Sequence, residues 1–186
     1  MIRRREFLAG AMAASTLAAT PAAAKTEGFK NPFAAAKKFF TPSVTGPKVP
    51  LVIQRQRTNE IWAGEVGTSL KKQDQEALNH LLRDIDAKSV KEIDPELLYL
   101  AARLQDQLGA PHLLVISAYR TPKSNRRKGG ARDSYHTKGM ALDVRVAGMG
   151  SVVIGRTARA VGAGGVGTYR RGFTHFDTGP KRSWRR

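Results

Sequence analysis

Not one of the 186 residues is cysteine, and that absence narrows what the chain can fold into more than any other feature. No disulfide can staple a loop-rich scaffold, so a folded state has to come from an apolar core. Any metal has to be held by nitrogen and oxygen, which removes thiolate zinc fingers and cysteine nucleophiles. Before that core is sought, the first residues must be set aside. Arg3, Arg4 and Arg5 precede a small, apolar run from Phe7 to Ala19, and Ala22-Ala23-Ala24 follows. This is the layout of a secretory signal with a cleavage site. Arg4-Arg5-Glu6-Phe7-Leu8 further fits the twin-arginine (Tat) pattern, read by a translocase that exports folded proteins. The run is too short and too rich in Ala and Thr for a stable membrane span, which takes about 20 strongly apolar residues. The expected product is periplasmic, with residues 1–24 cleaved near Ala24.

Such cleavage leaves 162 residues, enough for one domain with a real core and a tail. The chain carries 32 Lys and Arg against 15 Asp and Glu, a net charge of +17. Three Arg and one Glu leave with the signal, so the excess stays large and calls for a polyanionic partner. An exported protein rarely meets nucleic acid, so none is expected. Peptidoglycan stem peptides, with their free carboxylates, and the anionic cell envelope are the expected partners.

Residues 25–50 mix Pro32, Pro42, Pro47 and Pro50 with Lys and Ala and show no sustained period, which reads as a flexible basic linker. The domain is expected over 51–186. Leu51-Val52-Ile53 and Ile61 to Val66 read as a hairpin turning through Thr58-Asn59-Glu60. Leu70, Ala77, Leu78, Leu81, Leu82 and Ile85 recur at helical spacing, giving a helix from Leu70 to Asp86. Asp94-Pro95 opens a second helix, which Gly109 ends. His112 to Tyr119 suits a central strand that empties into the polar loop Arg120 to Tyr135. Leu142, Val144 and Val146 alternate with Asp143, and Phe173 to Thr178 alternates likewise, so both stretches read as strands. His175 and Asp177 then share a face, about 6.6 Å apart along the strand. Ser151 to Val161 reads as helix and Gly162 to Gly167 as a turn. The sum is a small α+β domain with a mainly antiparallel sheet packed with helices.

His136 precedes a glycine turn at Gly139, and Asp143 lies on the strand after it, so the two can converge. A third ligand can come from the His175-Phe176-Asp177 strand. Two neutral imidazoles and one carboxylate leave zinc an open fourth position, the pattern of a catalytic site. On spacing alone a structural His–Asp pair remains an alternative. His80, within a helix, and His112, at a strand start, have no acid at a useful offset and read as structural.

The segments Ser117-Ala118-Tyr119-Arg120-Thr121-Pro122 and Ser134-Tyr135-His136-Thr137-Lys138-Gly139-Met140-Ala141-Leu142-Asp143 carry a resemblance, together with Gly164 to Tyr169 and Phe173 to Gly179. Across about Leu51 to Trp184 the chain resembles the murein endopeptidase K family, related to D-alanyl-D-alanine carboxypeptidases and the hedgehog fold. The resemblance implies a zinc metallopeptidase that hydrolyses peptide cross-links in peptidoglycan, with His136, Asp143 and His175 holding Zn2+. Arg120 matches the family arginine after the central strand and would stabilise an oxyanion or grip a substrate carboxylate. Where better-known relatives have Glu or His beside the last ligand, the nearest acid here is Asp177. It can serve as general base, orient an imidazole, or ligate directly.

Two other readings stand beside this one. A nonheme Fe(II) oxygenase also uses two histidines and a carboxylate, and His175-Phe176-Asp177 has its spacing. Those sites usually place the lone histidine downstream of the pair, whereas His136 lies upstream. A non-catalytic peptidoglycan-binding module would keep the basic surface and dispense with the metal.

Overall fold

The structure is a computed structural model and describes residues 47–67 and 69–186. The expected signal and most of the expected linker lie outside the described residues. The elements run β1 (Val49–Arg55), β2 (Ile61–Val66), α1 (Lys72–Leu81), α2 (Pro95–Leu108), β3 (Leu113–Ser117), α3 (Pro122–Arg127), β4 (Ala141–Arg145), α4 (Ser151–Ala160), β5 (Gly165–Tyr169), β6 (Phe173–Asp177) and β7 (Arg182–Arg185). One seven-stranded sheet takes the order β2-β1-β3-β4-β6-β5-β7. Four of its pairings are antiparallel, while β1 with β3 and β5 with β7 run parallel. The fold is α+β with a mainly antiparallel sheet.

Alternation divides each central strand between two surroundings. Leu142 and Val144 of β4, Phe176 of β6 and Val166 of β5 are wholly buried in the apolar core with Leu97, Leu98, Ala101 and Leu104 of α2 and Ile154 and Ala158 of α4. The intervening residues Asp143, His175 and Asp177 are buried too, on the other face. There the cover is polar: the 3₁₀ turn Tyr135–Lys138, the loop after β3, and β7 side chains. One face of the sheet packs the apolar core, and the other holds these buried polar side chains.

α2 starts and stops where its sequence says. Asp94 accepts from the Glu96 N–H, Pro95 takes the first turn, and Gly109 closes the helix at φ 59°. The hairpin of β1 and β2 forms with Ile53 opposite Trp62. Other stretches depart from expectation. β1 begins at Val49, inside the stretch read as linker. The first helix spans only Lys72–Leu81, Ala77 is exposed, and the chain turns at Asp84, whose Oδ1 accepts the N–H groups of Asp86 and Ala87. A side chain that satisfies backbone donors locally competes with a continuing helix.

The loop 120–135 contains α3, with Thr121 as N-cap and Pro122 in the first turn. The second half of the glycine stretch read as a turn is strand, since Gly165 and Gly167 belong to β5. β7 had no sequence expectation at all, because only Trp184 in it is even partly buried. Among the described residues, no helix is long and apolar enough to cross a membrane.

Candidate metal centre

The sheet register builds the centre. Asp143 of β4 lies opposite His175 of β6, and Ala141 opposite Asp177. His136 arrives from the 3₁₀ turn, whose end is Gly139 in the left-handed region at φ 76°. That turn is fastened from both sides: the Arg120 N–H donates to the His136 carbonyl at 3.1 Å, and the Asp94 N–H to the Gly139 carbonyl at 3.1 Å.

Three donor atoms converge in the result. His136 Nε2 lies 3.2 Å from Asp143 Oδ1, His175 Nδ1 lies 3.0 Å from the same oxygen, and the two ring nitrogens are 3.2 Å apart. Ligands about 2.0 Å from a tetrahedral zinc stand about 3.3 Å from one another. The triangle therefore already has the dimensions of three corners of such a site. The opposite edge of each imidazole is fixed by an acceptor. His136 Nδ1–H donates to the Ala118 carbonyl at 2.7 Å, and His175 Nε2–H to Asp177 Oδ2 at 2.8 Å. Each outer bond selects the tautomer whose inward nitrogen has a free lone pair. Among the described residues, His136, Asp143 and His175 are the group with metal-binding geometry, and all three are buried.

Burial and neighbouring charge act on all three groups. Burial alone would raise the Asp143 carboxyl, but His136 and His175 outweigh it and hold the group well below the usual carboxylate range. Burial pulls the His136 imidazole down, against the attraction of Asp143. Burial also acts to lower His175, yet its bonds to Asp143 and Asp177 prevail and raise it. Arg120 donates Nε to Ser117 Oγ at 2.7 Å and Nη2 to Asp143 Oδ2, leaving Oδ1 of Asp143 to face the imidazoles.

Asp177 is brought to His175 but not to the triangle, because it lies behind the imidazole and is fully buried. Its Oδ1 accepts from the Gly165 and Gly179 N–H groups at 3.0 and 2.9 Å and from Arg182 Nη1 at 3.0 Å. Oδ2 accepts from Arg182 Nη2 at 2.6 Å as well as from His175. Burial would raise this carboxyl, but those bonds dominate and drive it well below its usual range. His80 sits on α1, and His112 lies just before β3, both remote from the triangle in the sheet. His80, its side chain largely exposed, does approach an acid that its sequence neighbours did not reveal: Glu60, at 3.8 Å.

Above the triangle opens a cleft of about 590 Å³, with Arg120, Lys128, Tyr135, Tyr169, Arg182 and Trp184 among its walls. Sequence reading missed Arg182 and Trp184, which no periodicity marks, and Asp84. The Asp84 carboxylate accepts both the Thr121 N–H and hydroxyl, at 2.8 and 2.9 Å, and so anchors the residue after Arg120. The Thr121-Pro122 capping pattern was the one available signal for that loop.

A family model described as peptidoglycan L,D-endopeptidase MepK matches residues 51–184, so it spans every residue of the centre. The chain belongs to this MepK family. It is 38% identical over 155 residues to the peptidoglycan L,D-endopeptidase MepK of Escherichia coli (strain K12), covering 78% of this chain and 85% of that protein. The Shigella flexneri MepK matches to the same extent. A probable MepK of Haemophilus influenzae is 36% identical over 116 residues, covering 58% of this chain and 62% of its own length. The family is one of peptidases, and the buried His-Asp-His triangle suits a metallopeptidase.

Proposed function

We propose that this chain is an exported zinc endopeptidase that hydrolyses peptide cross-links in peptidoglycan. The observation that carries it is the triangle of His136 Nε2, Asp143 Oδ1 and His175 Nδ1 at 3.0–3.2 Å, with lone pairs turned inward beneath an open cleft. Three nitrogen and oxygen donors at this spacing would suit zinc and would leave it a position open to water or substrate. When bound there, zinc supplies a Lewis acid for a peptide carbonyl and lowers the pKa of a coordinated water. The chain's own residues do the rest. Arg120, fixed to Ser117 and Asp143, faces the cleft, where its guanidinium can meet a developing oxyanion. Asp177 has every acceptor position engaged and lies behind His175, which favours an orienting role over that of proton acceptor. The cleft walls combine cations with aromatic faces, which suits a peptide bearing free carboxylates.

The relatives' name specifies an L,D bond. Of the murein cross-links, the one joining two diaminopimelates runs from an L centre to a D centre, whereas the D-alanyl link is D,D, so the former is the proposed substrate. Digesting purified sacculi with the protein and weighing the soluble products tests this: diaminopimelate–diaminopimelate dimers should disappear and D-alanyl dimers persist. Binding to sacculi should weaken as salt rises, through screening of the basic surface. A protein that sediments with sacculi and releases no peptide would be a binding module instead. The Fe(II) oxygenase reading drew on the spacing of His175 and Asp177, but Asp177 stands behind the His175 imidazole and not in the triangle; metal analysis of the purified protein separates the two.

The domain plan is proposed as read from the sequence: a twin-arginine signal over 1–24, a basic linker over 25–50 and the peptidase domain over 51–186. Replacing both Arg4 and Arg5 with Lys keeps the charge and should leave the precursor in the cytoplasm, as fractionation would reveal. Undiminished appearance of that variant in the periplasm would rule out the Tat route.

A further inference from the structure

The last strand reaches the metal centre across an intervening one. β5 pairs with β6 so that Gly165 faces Asp177 and Gly167 faces His175. β7 pairs with the other edge of β5 so that Gly165 faces Arg182 and Gly167 faces Trp184. Two rows therefore cross the sheet, His175–Gly167–Trp184 and Asp177–Gly165–Arg182, and the middle of each is a glycine. Neither glycine is there for an unusual backbone angle. A Cβ on Gly167 would stand 2.4 Å from the Trp184 ring, and one on Gly165 would stand 2.3 Å from Asp177 Oδ2 and 2.5 Å from Arg182 Nη1. The space a β5 side chain would fill is occupied by β7 side chains leaning over it.

Each of them ends on the His175 assembly. The Trp184 ring centroid lies 5.1 Å from that of His175 at 45°, and its indole N–H donates to the Tyr169 hydroxyl at 3.0 Å, which fixes the ring's tilt. Arg182 forks onto both oxygens of Asp177, with its guanidinium between the rings of Tyr135 at 4.8 Å and Trp184 at 5.4 Å. A fork of two parallel bonds fixes the plane of a carboxylate as a single bond cannot. That plane sets where Oδ2 stands, and Oδ2 sets the rotation of the imidazole.

Resting on the zinc reading above, we propose that β7 braces the His175 ligand across a two-glycine gap in β5: Arg182 and Trp184 are positioning residues for the metal. Arg182 acts through Asp177, and Trp184 acts on the imidazole directly. The pair is unlike an ordinary surface ion pair, because its carboxylate is wholly buried although the Arg182 side chain is 39% exposed. An exposed pair would contribute little.

A double-mutant cycle on the intact chain tests this, using Arg182→Gln, Asp177→Asn and the two combined. Zinc affinity is read by competition with a chromogenic chelator. Melting of the zinc-free proteins is recorded alongside, so that a folding defect is visible apart from a binding one. R182Q should weaken zinc about tenfold in the native background and hardly at all once Asp177 is Asn. R182K, which keeps the charge and loses the fork, should fall between native and R182Q. Trp184→Ala should weaken zinc in either background. Equal losses from R182Q in both backgrounds, or no loss, would overturn the proposal while leaving the zinc reading intact. A native chain that takes up no zinc would overturn both.

Discussion

Replacing Asp143 with alanine should abolish stoichiometric zinc binding and lower cross-link hydrolysis by about a thousandfold or more, since the metal's several kcal/mol of transition-state stabilisation goes with it. Asp143 is both a corner of the ligand triangle and, among the described residues, the only carboxylate that Arg120 touches. Its loss therefore leaves Arg120, mostly buried, without a counter-charge. Removing one partner of a buried pair costs about 3–5 kcal/mol. D143A should consequently melt earlier than the native chain even when both are measured in chelator. Asp177→Asn is the companion measurement. Behind His175, it should weaken zinc about 10–100-fold yet let excess zinc refill the site and restore much of the activity. If D177N bound zinc with native affinity and stayed inactive at saturation, Asp177 would be the proton acceptor after all. If D143A kept its zinc and D177N lost it altogether, the ligand role would pass to Asp177.

Gly139→Ala should be nearly as damaging without touching a ligand. At φ 76° the residue lies where an L side chain costs roughly 1–2 kcal/mol. A Cβ there would also sit 2.5 Å from the Glu92 carbonyl oxygen, a backbone atom that cannot rotate away. The turn would have to shift, and with it His136, three positions earlier, and the bond from the Asp94 N–H to the Gly139 carbonyl. A loss of about 2–4 kcal/mol follows, a fall in melting temperature on the order of 10 °C. Zinc affinity should fall along with it. Gly109→Ala is the control: φ is 59°, but nothing lies within 4 Å of its Cβ, so it should cost only the backbone term and leave zinc binding unchanged. Equal losses in the two variants would mean that the contact with Glu92 carries no weight.

Several features were legible in the linear chain because their causes are local. Asp94-Pro95 and Gly109 bracket α2 through capping bonds within a few residues. The alternation of Leu142, Asp143 and Val144 assigns faces to β4 through the two-residue period of a strand. The convergence of His136 with Asp143 needs only a turn at Gly139. Such signals travel with the sequence, as do the motifs that carry the family resemblance.

Other features depend on distant residues, and nothing in their own neighbourhood announces them. Gly165 and Gly167 look like a turn by composition, yet they form an inner strand because β7 supplies the side chains that lie above them. β7 in turn has no apolar period, since its buried contacts go to one histidine and one aspartate across the sheet. The role of Asp177 was open in sequence for the same reason. Sharing a face with His175 follows from strand geometry, but which side of the imidazole it takes depends on Arg182, Gly165 and Gly179, and these meet only in the folded sheet. The sequence alone determined the α+β class through short-range periodicity and capping, and the family through the motifs that carry its resemblance, which also named His136, Asp143 and His175 as candidate donors. The tertiary structure alone decided which donors face inward and what braces them, because hydrogen bonds between strands far apart in the chain set those orientations.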